Sequence, residues 1–137
     1  MYLTIEDLKK GIYGETLQTI TRDQANAEQA IIEAQEEIKT YLSVRYDIAA
    51  EFDKTGDARN IMIVKMVKDI AIYNCYMISS PVTMPEVRLQ CYNNTIKLLK
   101  DIQREQATIQ GLSRLDAGTA GSNYVKFGGN TKRNNSF

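Results

Sequence analysis

The most apolar stretch of the chain runs from residue 57 to residue 80, DARNIMIVKMVKDIAIYNCYMISS. Ile63, Val67, Ile70 and Ala71 recur with the period of a helix and share one face. Met62, Met66 and Tyr73 widen that stripe on one side, Val64 and Cys75 on the other. Lys65, Lys68 and Asp69 lie opposite, yet Ile61 and Ile72 fall among those charges, with Tyr76 at the edge. A helix apolar nearly all round belongs at the centre of a bundle, where each large apolar side chain it buries contributes roughly 1.5–3 kcal/mol. Asp57 is placed to cap its start. The charged face interrupted by isoleucines has two explanations. Ile61, Lys65, Asp69, Ile72 and Tyr76 form a subunit interface with an apolar centre and polar rim, or the chain's own N-terminal segment covers them.

The flanking segments repeat the helical period with more polar residues. Thr4 and Asp7 are spaced as a capping box for a short helix over residues 5–10, which Gly11 stops. GIYGETLQTIT reads as a connector with room for one more helical turn. Thr21 and Gln24 form a second box and open a long helix to about Tyr46. Its stripe is Ala27, Ala30, Ile31, Ala34, Ile38, Tyr41 and Leu42, with Glu28, Glu33, Glu36 and Lys39 pointing away. The alanines let a second helix approach closely. Arg45 falls on the apolar stripe. Either its stem covers apolar surface with the head in water, or it makes a buried ion pair, for which Asp69 is a candidate. DIAAEFDKTG is a loop. After the central helix, SSPVTMPE breaks the chain, and Pro85 suits the first position of a new helix. That helix runs to about Gln110 on a stripe of Cys91, Tyr92, Thr95, Ile96, Leu99 and Ile102, with Gly111 as its C-terminal cap. The predicted fold is all-α: a compact bundle of one short N-terminal helix and three long ones.

Beyond Gly111 the composition turns to Gly, Asn, Ser and Thr without amphipathic period, which divides the chain into a helical domain, 1–111, and a flexible C-terminal tail, 112–137. Charge divides the same way. Lys plus Arg and Asp plus Glu number 17 each, but residues 112–137 hold four basic side chains and one acidic, leaving the body acidic by three. An acidic body carries no electrostatic footprint for nucleic acid. No apolar run reaches the roughly 18–20 residues of a membrane span, and MYLTIEDLKK does not read as a signal peptide.

Catalytic chemistry finds little to work with. The chain has no histidine, which excludes histidine metal sites and general bases. Phosphate-loop, dinucleotide and nucleophile-elbow motifs are lacking. The pairs Glu36–Glu37 and Asp53–Asp57 read as solvated carboxylates. Cys75 and Cys91 lie in helical patterns and read as free thiols, and Asn74 as an amide satisfied within the apolar face. Tyr41, Tyr46, Tyr73, Tyr76 and Tyr92 read as large core or interface residues whose hydroxyls reach the rim. No catalytic residue, metal ligand or cofactor is assigned, and the residues point to a helical binding or structural protein.

One order of motifs goes further. The long helix ends Ala34-x-x-x-Ile38-x-x-Tyr41-Leu42-x-x-Arg45-Tyr46, and the central helix carries Asp69-Ile70-Ala71-x-Tyr73-x-x-Tyr76. After the prolines come Glu86-Val87 and Tyr92-x-x-x-Ile96-x-x-Leu99, and the chain opens with Tyr2-x-x-x-x-Asp7-Leu8. Over residues 1–110 this order resembles the Mu-like head–tail connector proteins, the helical neck adaptors of tailed phages. Two positions depart from the family pattern. Ala49 and Ala50 stand where a proline often follows the Arg-Tyr pair, and no glycine follows Leu99 and Ile102 closely.

The resemblance implies a non-enzymatic virion protein, assembled in the bacterial host cytoplasm and located in the neck at the portal vertex. It implies a homo-oligomeric ring, dodecameric in this family, that extends the DNA channel without sequence-specific binding. Its partners would be the portal protein on one side and the next neck or tail-completion protein on the other, with no membrane involved. A small helical DNA-binding or regulatory protein is the alternative. In the tail, Tyr124, Phe127 and Phe137 are spaced among small residues, with Lys126, Lys132 and Arg133 between them. Aromatic anchors on a flexible segment suit a groove in a partner, and the resemblance makes that partner the portal.

Overall fold

Thr4 opens the first helix, as its spacing with Asp7 predicts. Its hydroxyl accepts from the Asp7 amide at 3.2 Å, and the Asp7 carboxylate accepts from the Thr4 amide at 3.0 Å. The computed structural model describes residues 1–78 and 83–115. In them α1 spans Ile5–Lys9, α2 Gly14–Thr21, α3 Gln24–Leu42, α4 Ala49–Phe52, α5 Ile61–Ile78 and α6 Glu86–Gln103, with a 3₁₀ turn at Gly56–Ala58. The fold is all-α, as the hydrophobic period predicts.

The predicted central helix is α5, and it packs against α1, α2, α3 and α6. Ile63, Met66, Val67, Ile70, Ala71, Ile72, Cys75 and Tyr76 are buried along it. Ala27, Ala30 and Ala34 are buried on α3, and these small side chains let α5 come close. Near its end, the Asn74 amide donates to the Ala30 carbonyl at 3.2 Å, which satisfies the polar group in the apolar face. Successive contacts Asp69–Thr95 and Tyr73–Tyr92 run in opposite chain directions, so α6 lies antiparallel to α5.

Several boundaries differ from the sequence expectation, each because a local hydrogen-bonding group wins. Asn60, not Asp57, caps α5: its side-chain oxygen accepts from the amides of Met62 at 3.0 Å and Ile63 at 3.3 Å. The connector GIYGETLQTIT forms a full helix, α2. Thr21 ends it, with its hydroxyl donating to the Leu17 carbonyl at 2.8 Å, so the box with Gln24 does not form. Arg22 turns to φ 72°, and Asp23 caps α3 by accepting from the Asn26 amide at 2.9 Å. Within the expected loop, Ala49 and Ala50 begin α4. Pro85 is the cap residue before α6 rather than its first helical residue.

The largest boundary error is at the end of α6, which stops at Gln103 and not at Gln110. Glu105 takes φ 62°, a left-handed conformation that favours glycine, at the point where the resemblance leads one to expect glycine. The chain then folds back. Ile109 is buried, and its amide donates to the Tyr46 hydroxyl at 3.0 Å. Gly111, at φ 79°, belongs to this return turn and caps no helix. The Asp47 amide donates to the Ser113 carbonyl and the Leu115 amide to the Arg45 carbonyl, both at 2.9 Å. Residues 113–115, which belong to the segment expected as a flexible tail, therefore lie along the bundle. The remainder of that segment lies outside the described residues.

The N-terminal segment is fastened by polar groups that the sequence reading did not single out. Tyr2 and Leu3 are buried. The Tyr2 hydroxyl donates to Glu51 Oε2 at 2.7 Å, the Asn60 amide donates to the same oxygen at 2.6 Å, and Lys54 pairs with Oε1 at 3.0 Å. Arg59 pairs with Asp7 at 2.7 Å and donates to the Tyr2 carbonyl at 2.8 Å. This clasp ties residues 2–7 to the joint that precedes α5.

Candidate interaction surfaces

The five residues predicted on one face of α5 divide into two groups. Ile61 is 86% exposed, and Lys65 reaches one turn along the helix to pair with Asp69 at 3.0 Å. Asp69 also accepts from the Thr95 hydroxyl of α6 at 3.2 Å, so it is engaged within the chain. Ile72 is 1% exposed and Tyr76 is 7% exposed. A Cβ placed on Gly11 would stand 3.2 Å from Ile72 Cδ1, which shows the joint between α1 and α2 lying directly on that side chain. The subunit-face expectation is therefore corrected for Ile72 and Tyr76. They are core residues, and the alternative of cover by the chain's own N-terminal segment holds for them. The wheel put them among charges because it cannot show what a preceding segment covers.

Arg45 does not meet Asp69. Its guanidinium pairs with Glu105 at 3.2 Å and donates to the Gln103 carbonyl at 3.0 Å, which holds the end of α6 and the return turn. Glu105 also pairs with Arg114 at 2.7 Å. Of the predicted docking residues, Tyr124, Lys126, Phe127, Lys132, Arg133 and Phe137 lie outside the described residues.

Exposed apolar side chains collect toward the two ends of α5. Val44, Ile61, Met62 and Leu115 are at the end where α5 begins, and Met77, Ile78 and Val87 where it finishes. An 18-residue helix separates the two ends by about 26 Å. Beside the second end, a groove of about 470 Å³ runs between the α1–α2 joint and the start of α6. Lys9, Lys10 and Arg88 rim it, and Tyr13 and Tyr76 form part of its walls. Arg88 reaches across to donate to the Gly11 carbonyl.

The third surface was missed. Tyr73 of α5 stacks on Tyr92 of α6 with ring centroids 3.7 Å apart and planes 15° from parallel. Tyr92 of α6 is near enough to Glu37 and Tyr41 of α3 for their charges to be felt. Burial pushes the Glu37 carboxyl above its ordinary range, an effect that Tyr92 only partly offsets. Burial and then Glu37 push the Tyr92 phenol up as well. Glu37 is thus half-buried against an aromatic pair, which corrects its reading as one of two solvated carboxylates. Glu36 does face out, paired with Lys39 at 2.8 Å. The available signal was spacing: Glu37 is one turn from Tyr41, at the border of the apolar stripe and not at the centre of the polar face.

The family model described as Bacteriophage Mu, Gp36 matches residues 2–126. The chain belongs to this phage protein family. No match is found among curated proteins. The described helices of this phage protein include none long and apolar enough to cross a membrane. Among the described residues, no group of three or more His, Cys, Asp or Glu gathers as a metal site would. Both cysteines are free thiols, and burial pushes the Cys75 thiol up to about 12, far from the activated range of a nucleophile.

Proposed function

We propose that this phage protein is a structural neck adaptor. It forms a ring on the portal vertex, dodecameric as the resemblance implies, that extends the DNA channel and joins the capsid to the tail. In this reading it catalyses no reaction, contacts the portal on one side and the next neck or tail-completion protein on the other, and lets DNA pass without reading its sequence. It assembles in the bacterial cytoplasm and resides in the virion neck.

The observation that carries the proposal is the family match, which spans residues 2–126 of 137. The placement of exposed apolar side chains at both ends of α5 supports it, since an adaptor needs separate contact surfaces. In a ring, Ile61 and Lys65 are the residues of the expected α5 face left free to meet a neighbouring copy, because Ile72 and Tyr76 are already covered. Repetition of one such contact about an axis closes a ring.

The test is incubation of the full chain with purified portal rings, read by co-sedimentation and particle imaging. A stoichiometric ring stacked on the portal is expected, together with duplex-DNA binding no stronger than that of an acidic control protein. Failure to bind portal rings, combined with salt-dependent duplex binding, would replace the adaptor reading with that of a DNA-binding regulator.

A further inference from the structure

The charges left over toward the two ends of α5 are of opposite sign. Where α5 finishes, the groove between the α1–α2 joint and the start of α6 is rimmed by Lys9, Lys10 and Arg88. Glu6 holds Lys9 at 2.9 Å, but Lys10 reaches Asp7 only at 3.9 Å and stays largely in water. Arg88 donates to the Gly11 carbonyl and has no carboxylate partner among the described residues. That bond ties α6 to the joint, and Gly11 in turn sits close on Ile72, so the groove has fixed walls. Its volume of about 470 Å³ falls within the roughly 300–1,000 Å³ of sites that hold a ligand. Where α5 begins, residues 53–58 are exposed at every position. Asp53 and Asp57 stand on this segment, and Asp47 is exposed at the start of the same connection. None of the three has a basic partner among the described residues, since Lys54 is engaged by Glu51.

We propose that the aspartate segment 53–57 of one copy of this chain seats in the basic groove of a second copy. Opposite charges then face each other across the contact, which selects the partner and its orientation. Both sides also offer apolar surface. Ile61 is exposed just after the segment, and Tyr13 and Val87 are exposed by the groove, as suits an interface with apolar parts and a polar rim. Other occupants fit less well. Residues 112–137 hold four basic side chains and one acidic, so the groove repels the chain's own C-terminal segment. A nucleic-acid backbone would meet a body that is acidic by three around the groove. The two surfaces differ and lie about 23 Å apart along α5, from Ile61 to Tyr76. The contact is therefore heterologous: each copy offers its groove to one neighbour and its segment to the next, and repetition closes a ring where the rotation permits. This deepens the ring of the adaptor reading and rests on that reading for closure alone.

The experiment is sedimentation velocity of the full chain over a concentration series. Wild type is expected to associate as concentration rises, and to do so less in about 1 M salt, where the screening length falls to roughly 3 Å. Two variants separate the surfaces. Lys9→Glu with Lys10→Glu reverses the groove, with Arg88 left in place because it bridges the helices. Asp53→Asn with Asp57→Asn neutralises the segment. Each should weaken association at least about tenfold, with helicity retained by circular dichroism. Mixed in equal amounts, each variant supplies the one surface that the other lacks, so dimers should form and nothing larger. Wild type that stays monomeric up to roughly millimolar concentration would overturn the proposal. So would either variant associating as wild type does, or a mixture of the two that stays monomeric. Portal rings separate this contact from the adaptor reading. Both variants stacking on portal rings as fully as wild type would overturn the contact and leave the adaptor standing. Self-association with the expected variant behaviour, but without portal binding, would support the contact and end the adaptor reading.

Discussion

Asp7 and Glu51 lie where the N-terminal segment crosses the joint before α5, and Glu37 lies between α3 and α6. At the joint both of these carboxylates are answered. Arg59 holds the Asp7 carboxyl well below the usual range. Burial pushes Glu51 up, but the Asn60 amide, the Tyr2 hydroxyl and Lys54 outweigh it and bring it below its ordinary value. At Glu37 the balance goes the other way: burial raises the carboxyl and one phenol fails to compensate. A buried charge with its partners holds structure together, whereas one without them is a standing cost to the fold. Proteins tolerate such costs where a surface serves something other than stability. The clasp is therefore read as architecture, and Glu37 as a charge that the fold carries at a cost.

The largest expected effect comes from breaking what the α1–α2 joint covers. Ile72→Glu places a charge beneath the α1–α2 joint, at a residue 1% exposed. Loss of about 4 kcal/mol or more is expected, seen as loss of cooperative thermal unfolding. Ile61→Glu, on the same helix face but 86% exposed, should change stability by no more than about 0.5 kcal/mol. It should instead weaken ring assembly on the portal. A folded Ile72→Glu variant would mean that the N-terminal segment does not cover α5 in solution, and the comparison would lose its first half.

How far the sequence went follows from the same contrast. Apolar period found α5, the α3 stripe and the α6 stripe, because burial of a helix face is written in every third or fourth residue. The ends of helices were less legible. Asn60 caps α5 and Asp23 caps α3, yet Asp57 and Thr21 are equally good capping residues by type, and only tertiary placement chooses between them. The end of α6 was hidden because Ile109 continues the apolar period while the chain has already turned at Glu105 to reach Tyr46. Long-range polar contacts were least legible of all. Arg59 meets Asp7 across 52 positions, and nothing in either neighbourhood announces the pair. Likewise Arg45 was seen as anomalous, but its partner, Glu105, comes from the turn that the helix expectation had erased.

Breaking the clasp itself should have the next largest effect. Arg59→Ala leaves Asp7, which is 11% exposed, with only the exposed Lys10 at 3.9 Å as a counter-charge and removes the Arg59 donor from the Tyr2 carbonyl. A loss of about 3–5 kcal/mol is expected, measured by urea unfolding at pH 7. The pH dependence follows from the direction of the shift. Asp7 titrates below its unfolded value, so its contribution is complete above about pH 4 and fades as pH falls toward the folded value. The gap between wild type and Arg59→Ala should therefore narrow on acidification below that point. A gap unchanged at pH 2.5 would show that Arg59 acts through packing against Tyr2, whose ring centroid is 5.9 Å from the guanidinium carbon, and not through the ion pair.

The smallest expected effect has the opposite sign. Glu37→Gln removes a carboxylate whose folded form favours the proton, so the variant should be more stable than the wild type at pH 7. Because Glu37 keeps some contact with solvent, the gain should be modest, roughly 0.5–1 kcal/mol. A carboxyl raised by folding contributes fully below its unfolded value of about 4.3 and loses that contribution as pH rises through its folded value. Wild type and Glu37→Gln should then unfold alike near pH 4 and separate as pH rises, with the glutamine variant higher. Acid weakening of the clasp occurs in both proteins and cancels in the difference. Loss of stability in Glu37→Gln at pH 7 would show that the carboxylate is satisfied in solution, and Glu37 would then join Asp7 and Glu51 as a residue of the architecture.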